Sequence, residues 1–264
     1  MRSSLPPRVH TLAMGLAGAL AVIAVWWLAG ATVGGHYRIP TPVEVVRSVG
    51  DNGLGWYRQI FWPTLREALI GFAYGVAVAL VLAAVVFVVP VLESVVMQIA
   101  VVTYCIPLVA VAPVLIAINP TPVEGSPLRT AVELAALSVV FTTVVGAVVG
   151  FKSADAASLD VVRVYGGGRL QQLVRVRLVA AVPALVSALQ IAAPAAWLGA
   201  LLGEFFDLRL TNCVANALYQ SQQRGDIGTA WSIGIGCALV SGVGYALFGL
   251  LGRVVTPWAK GVAA

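Results

Sequence analysis

Residues 68–90 read ALIGFAYGVAVALVLAAVVFVVP, and this stretch decides the fold. It contains 23 residues without one acid or base. At about 1.5 Å per residue, a helix of that length crosses a hydrocarbon core about 30 Å thick. The run is continuously apolar rather than alternating, which excludes a barrel strand, and lipid admits only helices and closed barrels. A membrane-spanning helix follows.

Working outward, similar apolar runs occur at about 12–30, 95–118, 130–150, 179–203 and 229–251. The expected fold is therefore all-α: a polytopic membrane protein with six transmembrane helices, forming a single domain over residues 1–264. Composition agrees, because 60% of the chain is hydrophobic and 10% charged, against about 25% charged in a typical soluble chain. A mean hydropathy of +0.95 leaves too little polar surface for a soluble enzyme. Three cysteines without a CxxC pair exclude a disulfide framework and a zinc site. The first span follows Arg2 and Arg8 and exceeds a signal-peptide core, so it reads as a retained anchor. Both termini are then expected in the cytoplasm of a cell-membrane protein. Inside segments carry nine Lys/Arg against seven outside, and net charges of +6 and −1, which sum to +5. Most of that bias lies in the 152–178 loop, with Lys152, Arg163, Arg169, Arg175 and Arg177.

Several spans carry Gly-x-x-x-Gly, at Gly71/Gly75, Gly146/Gly150 and Gly199/Gly203. Four-residue spacing puts each pair on one helical face, for close packing within the chain or at a subunit interface. Pro107 and Pro113 interrupt the third span and Pro183 and Pro194 the fifth, and each proline favours a kink.

Sites for chemistry are absent from the pattern. His10 and His36 flank the first span away from any acid cluster. Glu93, Glu133 and Glu204 fall at expected span ends, within reach of water, and Arg129/Glu133 form an i,i+4 pair. No expected span has a charge at its centre, which disfavours an ion-coupled carrier. The two lysines, Lys152 and Lys260, lie outside any phosphate-binding loop of the G-x-x-x-x-G-K-[ST] form. ATP hydrolysis, where it drives this chain, belongs to another subunit.

The 152–178 loop reads KSADAASLDVVRVYGGGRLQQLVRVRL. Its pattern predicts a short helix over 159–165, a break at Gly166-Gly167-Gly168 and a second helix from Arg169. Val161, Val162 and Tyr165 make an apolar face, which calls for a protein partner or the membrane surface.

This loop resembles the E-A-A, three residues, G, nine residues, I-x-L-P segment of permease subunits of binding-protein-dependent ABC importers. Asp160-Val161-Val162 stand at the acidic-small-small triplet, Gly166 at the glycine, and Val176 and Leu178 at the Ile and Leu. Val179 stands at the proline, with Pro183 a turn later. Other segments are similar to the sulfonate, nitrate and taurine branch: Ile39-Pro40-Thr41-Pro42-Val43-Glu44-Val45-Val46, Thr64-Leu65-Arg66 through Gly71-Phe72 and Gly75, Pro107 through Pro113, and Lys152-Ser153-Ala154-Asp155. Asn119 to Arg129 departs from the branch's short turn.

The resemblance implies a type I importer permease fold and a non-catalytic chain passing a small, anionic organic solute. The implied partners are a second permease copy or paralogue, two cytoplasmic ABC ATPase subunits holding ATP and magnesium, an external solute-binding protein and membrane lipid, with no nucleic acid. This chain itself would bind no cofactor or metal. Asp160, Val161, Val162, Tyr165, Gly166 and Arg169 would meet the ATPase. By position, Tyr104, Pro107 and Trp197 are candidates for the path or for core packing. Asn212, Asn216, Gln220, Gln222 and Arg224 in the polar 204–228 segment are candidates for binding-protein contact or plain solvation. A passive channel or oligomeric scaffold is the alternative reading.

Overall fold

Small residues set how closely the long helices approach. The computed structural model describes residues 7–37, 39–120, 123, 125–207, 209 and 212–258. The order is α1 (Pro7–Tyr37), α2 (Pro42–Val88), α3 (Glu93–Cys105), α4 (Leu108–Ile118), α5 (Arg129–Lys152), α6 (Ala156–Val164), α7 (Arg169–Gln172), a π-helical turn (Leu173–Arg177), α8 (Leu178–Phe206), α9 (Val214–Gln223) and α10 (Ile227–Val255). The described residues are all-helical, with five helices long and apolar enough to cross a membrane and a sixth span when α3 and α4 count as one bent pair. Expectations at Arg2 and Lys260 lie outside the described residues.

The chain divides into two units, one of residues up to Arg58 with Leu218–Gly236, the other of Gln59–Ala217 with the residues from Cys237 onward. In the first, α2 begins with a capping box on Pro42 at the first helical position. Thr41 Oγ1 accepts from the Glu44 amide at 3.3 Å, and Glu44 Oε2 accepts from the Thr41 amide at 2.7 Å. Gly53, at φ 74° and ψ 149°, breaks the helix eleven residues in. The Trp26 indole donates to the Pro40 carbonyl at 2.9 Å and stacks on Trp231 at 5.8 Å. Asn52 donates to Thr229 Oγ1 at 3.0 Å, and the Tyr57 and Ser232 hydroxyls meet at 2.6 Å.

The second unit is built on α5. A methyl at Gly71 would fall 2.4 Å from Ala135 Cβ, and one at Gly75 would fall 2.7 Å from the Ala136 carbonyl, so α2 lies directly against α5. On the other side, a methyl at Gly203 would meet Ala131 Cα at 2.3 Å, and one at Gly146 would meet Ala188 Cβ at 2.3 Å. All three Gly-x-x-x-Gly pairs are thus used inside this chain, between α2, α5 and α8. Below them Ala79, Ala83, Val86, Val144, Ala147 and Val148 form a dry cluster with Val96 and Ala100 of α3.

The third span is not one kinked helix. α3 and α4 meet at 90°, because Ile106 and Pro107 are both extended, with ψ of 122° and 119°. The helical region is disfavoured for a residue preceding proline, and here Ile106 leaves it, so the chain turns at Ile106–Pro107. Pro113, Pro183 and Pro194, by contrast, lie inside continuous helices.

Candidate coupling site and a buried carboxyl junction

The 152–178 loop is held at both ends. Ser153 Oγ donates to the Gly150 and Ala180 carbonyls at 2.7 and 3.0 Å, fastening the end of α5 to the start of α8. Asp155 then caps α6, accepting from the Ser158 amide at 3.2 Å and its hydroxyl at 3.3 Å. The helix starts three residues earlier than the apolar pattern predicts, because that cap satisfies the first free amides. It stops in a Schellman motif: the Gly166 amide donates to the Arg163 carbonyl at 2.9 Å and the Gly167 amide to the Val162 carbonyl at 2.8 Å. Gly166 is left-handed at φ 76°. Gly167 is demanded by space, since a methyl there would fall 2.4 Å from Val162 Cγ1.

This geometry sorts the expected residues. Val161 and Tyr165 are exposed and share their face with Val164, which is 84% exposed. Val162 turns inward onto Gly167. Asp160 and Arg163 pair at 3.0 Å beside the apolar strip. Arg169 opens α7, and its side chain is outside the described residues. Sequence reasoning missed Val164, although its i,i+3 spacing from Val161 was the available signal.

Of the three path candidates, Tyr104 and Pro107 flank the α3–α4 bend and are exposed, Tyr104 stacking on Phe141 at 4.4 Å. Trp197 is elsewhere: it is buried and stacked on Phe61 at 5.8 Å. In the polar 204–228 segment, much of the expected loop is α9. Asn216 is buried, Gln220 partly so, and Asn212, Gln222 and Arg224 are exposed, with Arg224 donating to Gln220 at 2.9 Å.

Glu204 corrects the expectation of a water-reaching span end, because it is fully buried together with Glu67. Glu204 Oε1 accepts from Thr64 Oγ1 at 2.6 Å, and Oε2 accepts from the Ala215 amide at 3.2 Å. The Val214 amide donates to Thr64 Oγ1 at 3.3 Å, so α8 and α2 jointly cap the N-terminus of α9. Glu67 Oε1 accepts from the Leu128 amide at 2.7 Å and anchors the start of α5. Glu67 Oε2 is the one oxygen of the four that no protein donor reaches. Cys213 closes the junction, its thiol pushed up to about 12 by burial and, secondarily, by the neighbouring Glu204. No group of three or more potential metal ligands occurs among the described residues.

Residues 75–261 match the family described as binding-protein-dependent transport system inner membrane component. The chain belongs to that family. It is a non-catalytic ABC transporter permease subunit, embedded in the membrane by several apolar helices. A probable ABC transporter permease protein of Haemophilus influenzae is 28% identical, over 70% of this chain and 74% of the relative. The riboflavin transport system permease protein RibX of Chloroflexus aurantiacus is 29% identical over 98% of this permease and 99% of its own length. The formylaminopyrimidine transport permease protein ThiX of Halalkalibacterium halodurans is 23% identical, over 91% and 94%. A chain of the inward-facing MetNI methionine ABC transporter superposes with a TM-score of 0.63, covering 74% of this permease and 94% of that chain at 16% identity. The last likeness is one of fold.

Proposed function

We propose that this permease forms the membrane path of an ATP-driven importer and that α6 is the element its ATPase grips. The observation that carries the reading is the α6 strip of Val161, Val164 and Tyr165, exposed on a loop capped at both ends. Such a strip is disfavoured in water and suits a groove on a partner. The whole chain acts as one domain with cytoplasmic termini, pairing with a second copy or paralogue, two ATPase subunits and an external solute-binding protein. Closure of the ATPases draws the two loops together. Ser153 and the π-helical turn carry that movement into α5 and α8, and the bent α3–α4 pair parts on the outer side.

The cargo is a small organic solute delivered by the binding protein. Segment resemblances favour a sulfonate-like anion, but two relatives, a formylaminopyrimidine permease and a riboflavin permease, favour a nitrogen heterocycle, and we adopt the latter class. A ligand screen by melting temperature on the partner binding protein separates the two, since saturation at 100 times Kd adds about 2.7 kcal/mol of stability. Stabilisation by taurine or nitrate and not by pyrimidines or flavins would overturn the cargo reading.

Docking is tested by co-purification with the ATPase. Tyr165→Glu with Val164→Glu removes an apolar anchor worth about 2 kcal/mol or more, hence at least about 30-fold in affinity. Undiminished assembly by a folded double variant would refute the role of α6.

A further inference from the structure

A cavity of about 660 Å³ lies between the last turns of α2 and α5 and the segment from α6 to the π-helical turn. That volume falls within the range of about 300–1,000 Å³ typical of ligand sites. Its walls divide by chemistry. Phe87, Val88, Phe151 and Leu173 are apolar lining, and three cations, Lys152, Arg163 and Arg177, outnumber the one lining carboxylate, Glu93.

The cations are not equally engaged. Lys152 pairs with Glu93, and Arg163 with Asp160. Arg177 lies over the face of Phe87, 5.6 Å from its centroid, and has no carboxylate partner among the described residues. A cation–π contact uses the guanidinium's face and leaves its five N–H donors free in the plane. Arg177 ends the π-helical turn, where the extra backbone residue re-aims side chains, a device common at functional positions. Gln172, nearly buried, adds an amide on the same wall.

A small soluble anion would use the cations and leave the aromatic wall wet. An amphiphile with a phosphate and an acyl chain satisfies both. The position also fits, because Val88 and Lys152 end two long apolar helices at the level where headgroups meet hydrocarbon. We propose that this cavity binds an anionic phospholipid of the leaflet on the coupling-loop side, with its phosphate on Arg177 and an acyl chain against Phe87 and Leu173. This goes beyond the importer reading and rests on it only for naming the leaflet as cytoplasmic.

The test uses the full chain, purified without its ATPase in mild detergent, with native mass spectrometry reading bound phosphatidylglycerol against phosphatidylcholine of the same acyl chains. Each cation near a membrane surface is worth about fivefold in binding an anionic lipid. Arg177→Gln should therefore lower phosphatidylglycerol retention about fivefold, and Arg177→Gln with Lys152→Gln about 25-fold. Arg177→Lys, which keeps the charge, should retain most of it and carries the test where Arg177→Gln does not fold. Arg175→Gln makes the same charge change two residues away, outside the cavity lining, and should change nothing.

Equal losses for Arg175→Gln and Arg177→Gln would reduce the effect to general membrane electrostatics and overturn the site. Phosphatidylcholine held as firmly as phosphatidylglycerol would overturn the phosphate contact. Displacement of the lipid by millimolar inorganic phosphate would assign the cavity to a soluble anion instead. No ATPase is present in these measurements, so failure here is distinct from failure of α6 docking.

Discussion

Glu67→Gln and Glu67→Leu remove the same carboxyl from the buried junction, and the hydrogen bonds give them different outcomes. In the first, Oε1 still accepts from the Leu128 amide, and the new Nε2 stands where the unpartnered Oε2 stood, beside Glu204. The expected change in stability is below about 1 kcal/mol, the scale of one net hydrogen bond. In the second, the Leu128 amide is left buried without an acceptor. An orphaned buried polar group costs about 1–3 kcal/mol, so Glu67→Leu should lie at least that far below Glu67→Gln. Thr64→Val is an independent probe of the same junction. It is nearly isosteric, yet it strips the donor from Glu204 Oε1 and the acceptor from the Val214 amide. Two orphaned groups give about 2–6 kcal/mol. The assay is unfolding of the purified permease in mixed detergent micelles, followed by tryptophan fluorescence. Glu67→Gln unfolding as readily as Glu67→Leu would refute the anchoring role of the Glu67 Oε1–Leu128 hydrogen bond, because only the glutamine keeps an acceptor there.

The remaining predictions address packing, the loop and the thiols. Gly203→Ala places a methyl 2.3 Å from Ala131 Cα, and such overpacking should cost about 1–3 kcal/mol in the same unfolding assay. Gly18→Ala, whose methyl meets nothing within 4 Å, should be neutral or stabilise by up to about 1 kcal/mol through helix propensity. Gly166→Ala forces a Cβ into the left-handed region at φ 76°, costing about 1–2 kcal/mol. It should weaken ATPase co-purification while leaving the global melting temperature within a few degrees. Maleimide at pH 8 should label exposed Cys105 in the folded chain and spare Cys213, which is buried and whose thiol is held up to about 12; labelling of both at equal rates would refute the closed junction.

The spans and the small-residue faces were legible because both are local patterns: an apolar run, and two glycines four apart. The glycine stop of α6 was legible for the same reason, since it closes within a few residues; the capping box at Thr41 was equally local but went unread. Glu67 was not. It sits one position before the apolar run that marks the second span, where a lone acid reads as a solvated end. Its burial follows from Leu128, which lies 61 residues away, and from Glu204 beyond that. The break at Ile106–Pro107 was half legible: proline announced a disturbance, but a 90° turn depends on the residue before it also being extended. The α9 helix was hidden because its amphipathic residues are polar and its start is capped from α2 and α8, not from its own sequence.

These long-range contacts say how a push on α6 travels. Ser153 binds carbonyls at the end of α5 and near the start of α8, and a methyl at Gly150 would lie 2.9 Å from the Ala181 carbonyl, so at this end the two helices are in backbone contact. Backbone contacts shear poorly, because sliding them would separate hydrogen-bonded and close-packed atoms together. At their other ends α5 and α8 are close again through Gly203 on Ala131, and the carboxyl junction ties both to α2. A displacement of α6 is therefore carried by α5 and α8 as a pair. The compliant joint in this unit is the extended Ile106–Pro107 break, which lacks a continuous helix to resist bending. Motion entering at the loop should accordingly emerge as a change in the α3–α4 angle. Two spin labels, at Val101 and Val114, should report an altered distance when the assembled transporter is trapped with ATP, while a pair at Val149 and Val179 should not.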